Sequence, residues 1–401
     1  MTEITAATAV DADTFREQTR AWLEANCPPE MRQPVKSEAD VCWGGKRFKF
    51  QSDAQRQWME RMGERGWTVP AWPRDYGGGG LTHREAAILK EEMARLRCRV
   101  PLQSFGIWML GPALLKYGSE EQKRHYLRQI ARGEIRWCQG YSEPNAGSDL
   151  ASLATKAEIH DDHFLVNGQK IWTSYADEAD WIFCLVRTET ARKHTGISFV
   201  LIDMTTSGVS TRPIKLISGK SPFCETFFDN VKVPLGNLVG ELNAGWTIAK
   251  YLLTHEREMI GAVGERAVAA GVGRIAAERI GRDASGRIDD PVLRAEIARF
   301  EVDEAAFRAW MKMFGQQARA GQANPAMSSA LKYYGAELNK RRWELMISSG
   351  GADALEWEGD RSQQGAAARA WIRTKGNSIE GGTSEVQLNV VAKRLLGLPG
   401  A

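Results

Sequence analysis

The sequence predicts an α+β protein in three parts: an N-terminal helical domain over residues 1–135, a central antiparallel β-domain over 136–238 and a C-terminal four-helix bundle over 239–401. Three observations carry this. Amphipathic, helix-forming runs fill both ends of the chain, while runs of strand length rich in β-branched and aromatic residues fill the middle. No strand leads into a Gly-x-Gly-x-x-Gly helix start, so the chain does not read as a doubly wound dinucleotide-binding fold. No 20–50-residue repeat is found, and 401 residues suit two or three domains of roughly 100–200 residues.

In the first part, 54–65 and 83–96 have helical composition with mixed charge. Between them the breakers Pro70-Ala71-Trp72-Pro73 and Tyr76-Gly77-Gly78-Gly79-Gly80 predict a loop. Gly111-Pro112 opens a short helical run to Tyr117, and Ser119-Glu120-Glu121-Gln122 reads as a capped helix start. In the second part, Phe164-Leu165-Val166 followed by Asn167-Gly168 predicts a hairpin. Runs at 181–186, 197–202 and 225–233 predict further strands, and Pro234 closes the last. In the third part, 246–279, 291–319, 326–348 and 383–396 predict long amphipathic helices that bury one face each, as a bundle does.

Composition narrows the function classes. The net charge is only +3 and the basic residues are interleaved with acids, as in Glu91-Glu92-Met93-Ala94-Arg95, so no nucleic-acid partner is signalled. The six cysteines, at 27, 42, 98, 138, 184 and 224, form no Cys-x-x-Cys pair and predict neither a metal site nor a disulfide framework. The start, residues 1–13, is polar and acidic rather than a signal peptide, and no run is long and apolar enough for a membrane span, so a cytoplasmic setting is expected. Fourteen tryptophans read mainly as core and interface packing, with some left to line a wide apolar site.

Four motifs are more specific. They are Tyr141-Ser142-Glu143-Pro144-Asn145-Ala146-Gly147-Ser148-Asp149, then Asn167-Gly168-Gln169-Lys170-Ile171-Trp172-Thr173-Ser174, then Phe228-Asp229-Asn230-Val231-Lys232-Val233-Pro234, and Gly382-Thr383-Ser384-Glu385-Val386-Gln387. In order and spacing they resemble the signatures of the acyl-CoA dehydrogenase family, and the resemblance runs from about residue 15 to 397. It implies one non-covalent FAD held between the β-domain and the bundle. Gln139, Tyr141, Ser142, Ser148, Trp172, Thr173, Ser174, Thr383 and Glu385 are the implied cofactor contacts, with Trp172 beside the ring and Ser174 near the atom that receives hydride. Two threonines of the family are serines here, at 142 and 174, and the hydroxyl is kept. The implied substrate is an acyl-CoA thioester met by Ser148, Arg257, Gly381 and Gly382. The implied electron acceptor is an electron-transfer flavoprotein.

The chemistry requires a carboxylate base kept dry enough to be basic, and donors at the thioester oxygen where enolate charge develops. Many family members carry the base before the last helix. Here that position is Gly381, with Glu380 one residue early. Isovaleryl-CoA dehydrogenase-like members instead place it on the first bundle helix, where this chain reads Leu252-Leu253-Thr254-His255-Glu256-Arg257. Glu256 is therefore the expected base, flanked by Leu252, Leu253, Met259 and Ile260; the alternatives are a solvated helix carboxylate paired with a nearby Arg, and Glu380 as the base. The backbone N–H of Gly381 remains available to polarise the thioester carbonyl.

The resemblance fails at the adenosine end. The family's Arg-x-x-Phe-Gly region reads Arg282-Asp283-Ala284-Ser285-Gly286-Arg287, and its Gln-x-x-Gly-Gly region reads Ile347-Ser348-Ser349-Gly350-Gly351. Either Arg282 or Arg287 compensates in a homo-oligomer (dimer or tetramer), or a sister chain completes a hetero-oligomer. A flavin oxidase or monooxygenase on the same scaffold, and a partner subunit of a heteromeric dehydrogenase, are the alternative readings.

Overall fold

The computed structural model describes residues 11–35, 37–190, 193–253 and 271–399. The chain divides into two compact units. One comprises 1–145, 151–212 and 224–248; the other comprises 146–150, 213–223 and 249–401.

The first unit opens with helices α1 (Ala12–Asn26), α2 (Asp53–Glu64) and α3 (His83–Arg95). Local caps start two of them. Ser52 Oγ accepts from the Gln55 N–H, and Thr82 forms a reciprocal box with Glu85. Their apolar faces meet in a core of Leu23, Trp58, Met62, Trp67 and Leu89, where Trp22 meets Trp67 edge-on at 4.8 Å. Glu92 is buried and gathers Arg16, Arg20 and Arg95; hydrogen bonds led by that from Arg20 pull its carboxyl down to about 2. Helix α4 (Gly111–Tyr117) follows, then the expected cap: Ser119 and Gln122 form a reciprocal box. Gln122 Nε2 also donates to the carbonyls of Gly236 and Leu238, at 2.8 and 2.7 Å.

Seven strands complete this unit: β1 (Trp137–Gly140), β2 (Lys156–Ile159), β3 (His163–Ser174), β4 (Trp181–Arg187), β5 (Ile197–Asp203), β6 (Val209–Ile214) and β7 (Phe223–Pro234). The order is β1-β4-β2-β3-β7-β6, with β5 also paired to β4. β2–β3 and β4–β5 are antiparallel, while β1 adds to β4 in parallel, Gln139 opposite Phe183. One expectation is corrected. Asn167-Gly168 is not a hairpin turn but lies inside β3, and the reversal falls at 161–162, where the His160 N–H donates to the His163 carbonyl. Gly168 serves close approach instead: its φ is +150°, and a Cβ there would stand 2.7 Å from Thr155 Cα.

The second unit is helical: α5 (Val272–Ile280), α6 (Pro291–Arg319), α7 (Met327–Leu355), α8 (Ala366–Thr374) and α9 (Ser384–Val390). Phe300, Phe307 and Phe314 on α6 and Leu331, Leu338 and Leu345 on α7 recur every seventh residue and share one core. The expected single helix over 246–279 is corrected. Residues 245–253 are helical, but Gly271 is extended and α5 starts afresh at Val272. The predicted 326–348 helix runs on to Leu355 through a kink at Gly351 (φ +57°), and α8 was not foreseen. Among the described residues, no helix is long and apolar enough to cross a membrane.

Candidate active site

In the first unit the two flavin-motif segments are fastened to each other. The Ile171 N–H donates to the Ser142 carbonyl at 2.9 Å. Behind that contact Lys170, wholly buried, donates from Nζ to Glu143 Oε1 at 2.7 Å and to the Tyr141 carbonyl at 3.2 Å. Glu143 also accepts the backbone N–H groups of Ala154 and Thr155. Burial pushes the Glu143 carboxyl up, but the Lys170 ammonium and these hydrogen bonds outweigh it and hold the group below its ordinary range. Glu143 and Lys170 thus set the spacing of Tyr141-Ser142 against Trp172-Thr173-Ser174. The sequence reading quoted both residues without giving them a role. The available signal was a lysine at an inward position of a strand, two turns of the pleat after Val166.

The backbone of β3 then changes phase. Phe164, Val166 and Lys170 point inward, and continued alternation would turn residue 172 inward too. Instead Trp172 has φ +61°, residue 173 becomes the inward one, and the indole is 50% exposed. Positive φ at a bulky residue is a true outlier, and Tyr175, at +52°, is another. A large side chain turned outward at the expense of backbone strain is a feature that clusters at binding sites. Thr173 is buried, and its Oγ1 has no hydrogen-bond partner among the described residues. Ser142 and Ser174 are half-buried. An exposed aromatic face, accessible hydroxyls and an unsatisfied buried one fit the ring end of FAD.

Directly beyond Ser174 stands an aromatic cluster. Trp43 stacks on Phe105 at 6.0 Å and meets Trp108 at 6.0 Å and Tyr175 at 5.1 Å, while the Arg136 guanidinium lies 5.1 Å from the Trp43 ring. All four rings are half-buried. The sequence named no member of this cluster; it left some tryptophans, unspecified, for a wide apolar site.

In the second unit the last-helix motif forms a tight turn. Gly381 and Gly382 have φ +64° and +90°. Thr383 caps α9, accepting from the Val386 N–H; the Glu385 carboxyl is held below its ordinary value first by its own backbone N–H and then by the Thr383 hydroxyl. Glu380 is engaged elsewhere: it accepts from Arg373 Nη2 at 2.6 Å and from Asn377 Nδ2 at 2.5 Å. Ser148 is exposed. Glu256 and Arg257 lie outside the described residues. In the segment expected to meet the adenosine end of FAD, Arg282 Nη1 donates to the Gly286 carbonyl at 2.6 Å and Arg287 Nε to Asp283 at 3.2 Å, within one turn.

Comparison with known proteins agrees with this construction. The N-terminal, middle and C-terminal domains of acyl-CoA dehydrogenases match residues 10–134, 138–231 and 243–396. The acyl-CoA dehydrogenase IpdE1 of Mycobacterium tuberculosis is 34% identical over 97% of this chain and 98% of its own length. Among solved structures, the Tcur3481-Tcur3483 steroid ACAD superimposes with a TM-score of 0.76 at 30% identity, over 98% of this chain and 99% of that one. The ChsE4-ChsE5 complex from Mycobacterium tuberculosis gives 0.74 at 30% identity over the full length of both chains. With its motifs in place and its whole length matched, the chain belongs to the acyl-CoA dehydrogenase family of FAD-dependent oxidoreductases.

Proposed function

We propose that this chain is a catalytic subunit that desaturates a bulky, ring-bearing acyl-CoA to its 2-enoyl-CoA and passes the electrons to an electron-transfer flavoprotein. The observation that carries the catalytic reading is the clasped pair of segments with the strained, outward Trp172. Tyr141, Ser142, Trp172, Thr173 and Ser174, with Gln139 on β1, would hold the ring end of FAD, and Ser148, Thr383 and Glu385 would contribute further contacts. FAD, when bound, supplies the acceptor for the hydride that leaves the β-carbon. Glu256 takes the α-proton onto its carboxylate as the carbon–carbon double bond forms. The Gly381 N–H, with Gly382 and Arg257 near the thioester, meets the oxygen where charge develops. Glu380, already bound by Arg373 and Asn377, is a structural carboxylate in this reading.

The substrate class is supported by the aromatic cluster of Trp43, Phe105, Trp108 and Tyr175, which offers flat rings to a flat acyl group. A relative described as a steroid ACAD points the same way. The test is anaerobic mixing of the yellow protein with straight-chain, branched and ring-bearing acyl-CoAs, scored by flavin bleaching. Ring-bearing thioesters are expected to give the highest kcat/KM, by roughly tenfold or more, the scale of a few buried methylenes in a pocket. Fastest bleaching by a short straight chain would remove the substrate assignment. A colourless protein would favour a second reading, a partner subunit in a heteromer, for which Ile347 and Gly381 are the motivating departures.

A further inference from the structure

The C-terminal unit holds a wholly buried lysine that the mechanism above does not use. Lys332, on α7, has no accessible surface. Its Nζ donates to the Gly382 carbonyl at 2.7 Å and to the Asn377 carbonyl at 2.9 Å. Those carbonyls bracket the turn that carries Gly381. Between them, Gln387 Nε2 on α9 donates to the Gly381 carbonyl at 2.8 Å. Asn377 is itself held from α7, where Asn339 Nδ2 donates to its Oδ1 at 2.9 Å.

Two adjacent glycines at φ +64° and +90° have more conformational freedom than any other pair, so the turn cannot fix its own peptide planes. Gln387 fixes the Gly381–Gly382 peptide and Lys332 the Gly382–Thr383 peptide from outside; the Gly381 N–H, on the preceding peptide, is set through the Gly381 backbone that they constrain. An ammonium is costly to bury and is retained where its hydrogen bonds specify a geometry. Lys332 also sets a positive charge directly against the carbonyl of Gly382, the residue after Gly381.

We propose that Lys332 is a positioning residue for thioester activation: with Gln387 it locks the Gly381–Gly382 turn so that the Gly381 N–H is held in one orientation for the acyl carbonyl. This rests on the reading of Gly381 as the thioester donor.

The experiment compares two inert ligands on FAD-loaded enzyme: a 2-enoyl-CoA, and the matched thioether with CH₂ in place of the carbonyl. Affinities are read from the perturbed flavin spectrum. Wild type is expected to prefer the thioester by tenfold or more. Lys332→Met is expected to bring that preference to within about threefold of unity while the thioether binds as before and FAD content is unchanged. Gln387→Met, which removes the bond to the Gly381 carbonyl and a longer contact to that of Gly382 while leaving Lys332 in place, is expected to lie between the two and decides the matter if the lysine variant does not fold. A wild-type preference retained in the variants overturns the role of Lys332 and leaves Gly381 in place. Equal losses for both ligands mean general damage and also overturn it. No preference in wild type removes Gly381 itself as the carbonyl donor, and the inference with it.

Discussion

At the scale of single residues, Trp172 is where stability and binding oppose each other. A non-glycine residue held in the left-handed region costs roughly 1–2 kcal/mol. Its indole is half exposed and so recovers little of that by burial. Trp172→Gly is therefore expected to leave the apoprotein as stable as wild type or more so, while flavin affinity falls at least tenfold. Thermal unfolding of apoprotein and a flavin titration check the two halves. A large loss of apoprotein stability would show the indole to be a packing residue instead. Glu380 is a contrasting case. Its carboxylate already accepts from Arg373 and Asn377, so Glu380→Gln is expected to change turnover by less than about tenfold, below the 10²–10⁴-fold range of general-base loss.

At the scale of elements, the clasp between the Tyr141-Ser142 loop and β3 depends on one buried ion pair. Removing one partner of such a pair leaves the other charged and buried, at a cost of about 3–5 kcal/mol. Lys170→Met is expected to destabilise by that order in urea unfolding and to lower flavin occupancy. The pH dependence follows from Glu143. Its folded carboxyl sits below its unfolded value of about 4.3, so the stabilisation is complete above that value and is lost as pH falls through the folded one. Glu143→Gln is expected to be less stable at neutral pH and flatter between neutral and acid pH. A parallel pair of curves would contradict the assignment.

The same elements show what a sequence reveals. The cap at Ser119 was legible because it is closed within four residues. Asn167-Gly168 misled because one dipeptide serves two needs: a tight turn, or a strand pressed against other backbone, here Thr155. Glu92 read as one charge in a mixed helix. Its burial is set by Arg16 and Arg20, more than seventy residues away, and no local pattern encodes that. Lys332 was hidden for the same reason, whereas the inward register of Lys170 on its strand was there to read. Of the candidate site, the motif residues were proposed by resemblance, while the positive φ of Trp172 and the ring cluster around Trp43 required the fold.

At the scale of the whole molecule, the bundle shows apolar side chains to solvent, among them Val302 and Met313 on α6 and Leu388 on α9. Such side chains are available to a helix-to-helix subunit interface. At the adenosine end Arg282 and Arg287 are the nearest sequence candidates to replace the missing motif. Expressed alone, the chain is expected to form a homo-oligomer with one FAD per protomer, measured by light scattering and flavin absorbance. Half occupancy or none in the oligomer would point to a sister chain, and a monomer with full FAD would contradict the interface. The central claim, that this chain itself performs acyl-CoA dehydrogenation with Glu256 as base, is tested most directly by anaerobic stopped-flow reduction of wild type and Glu256→Gln. Wild type is expected to bleach fully with a ring-bearing acyl-CoA. Glu256→Gln is expected to keep its FAD and reduce it at least about 10²-fold more slowly, because an amide keeps the shape but takes no proton. Equal rates in the two proteins, or bleaching of neither with FAD bound, would contradict it.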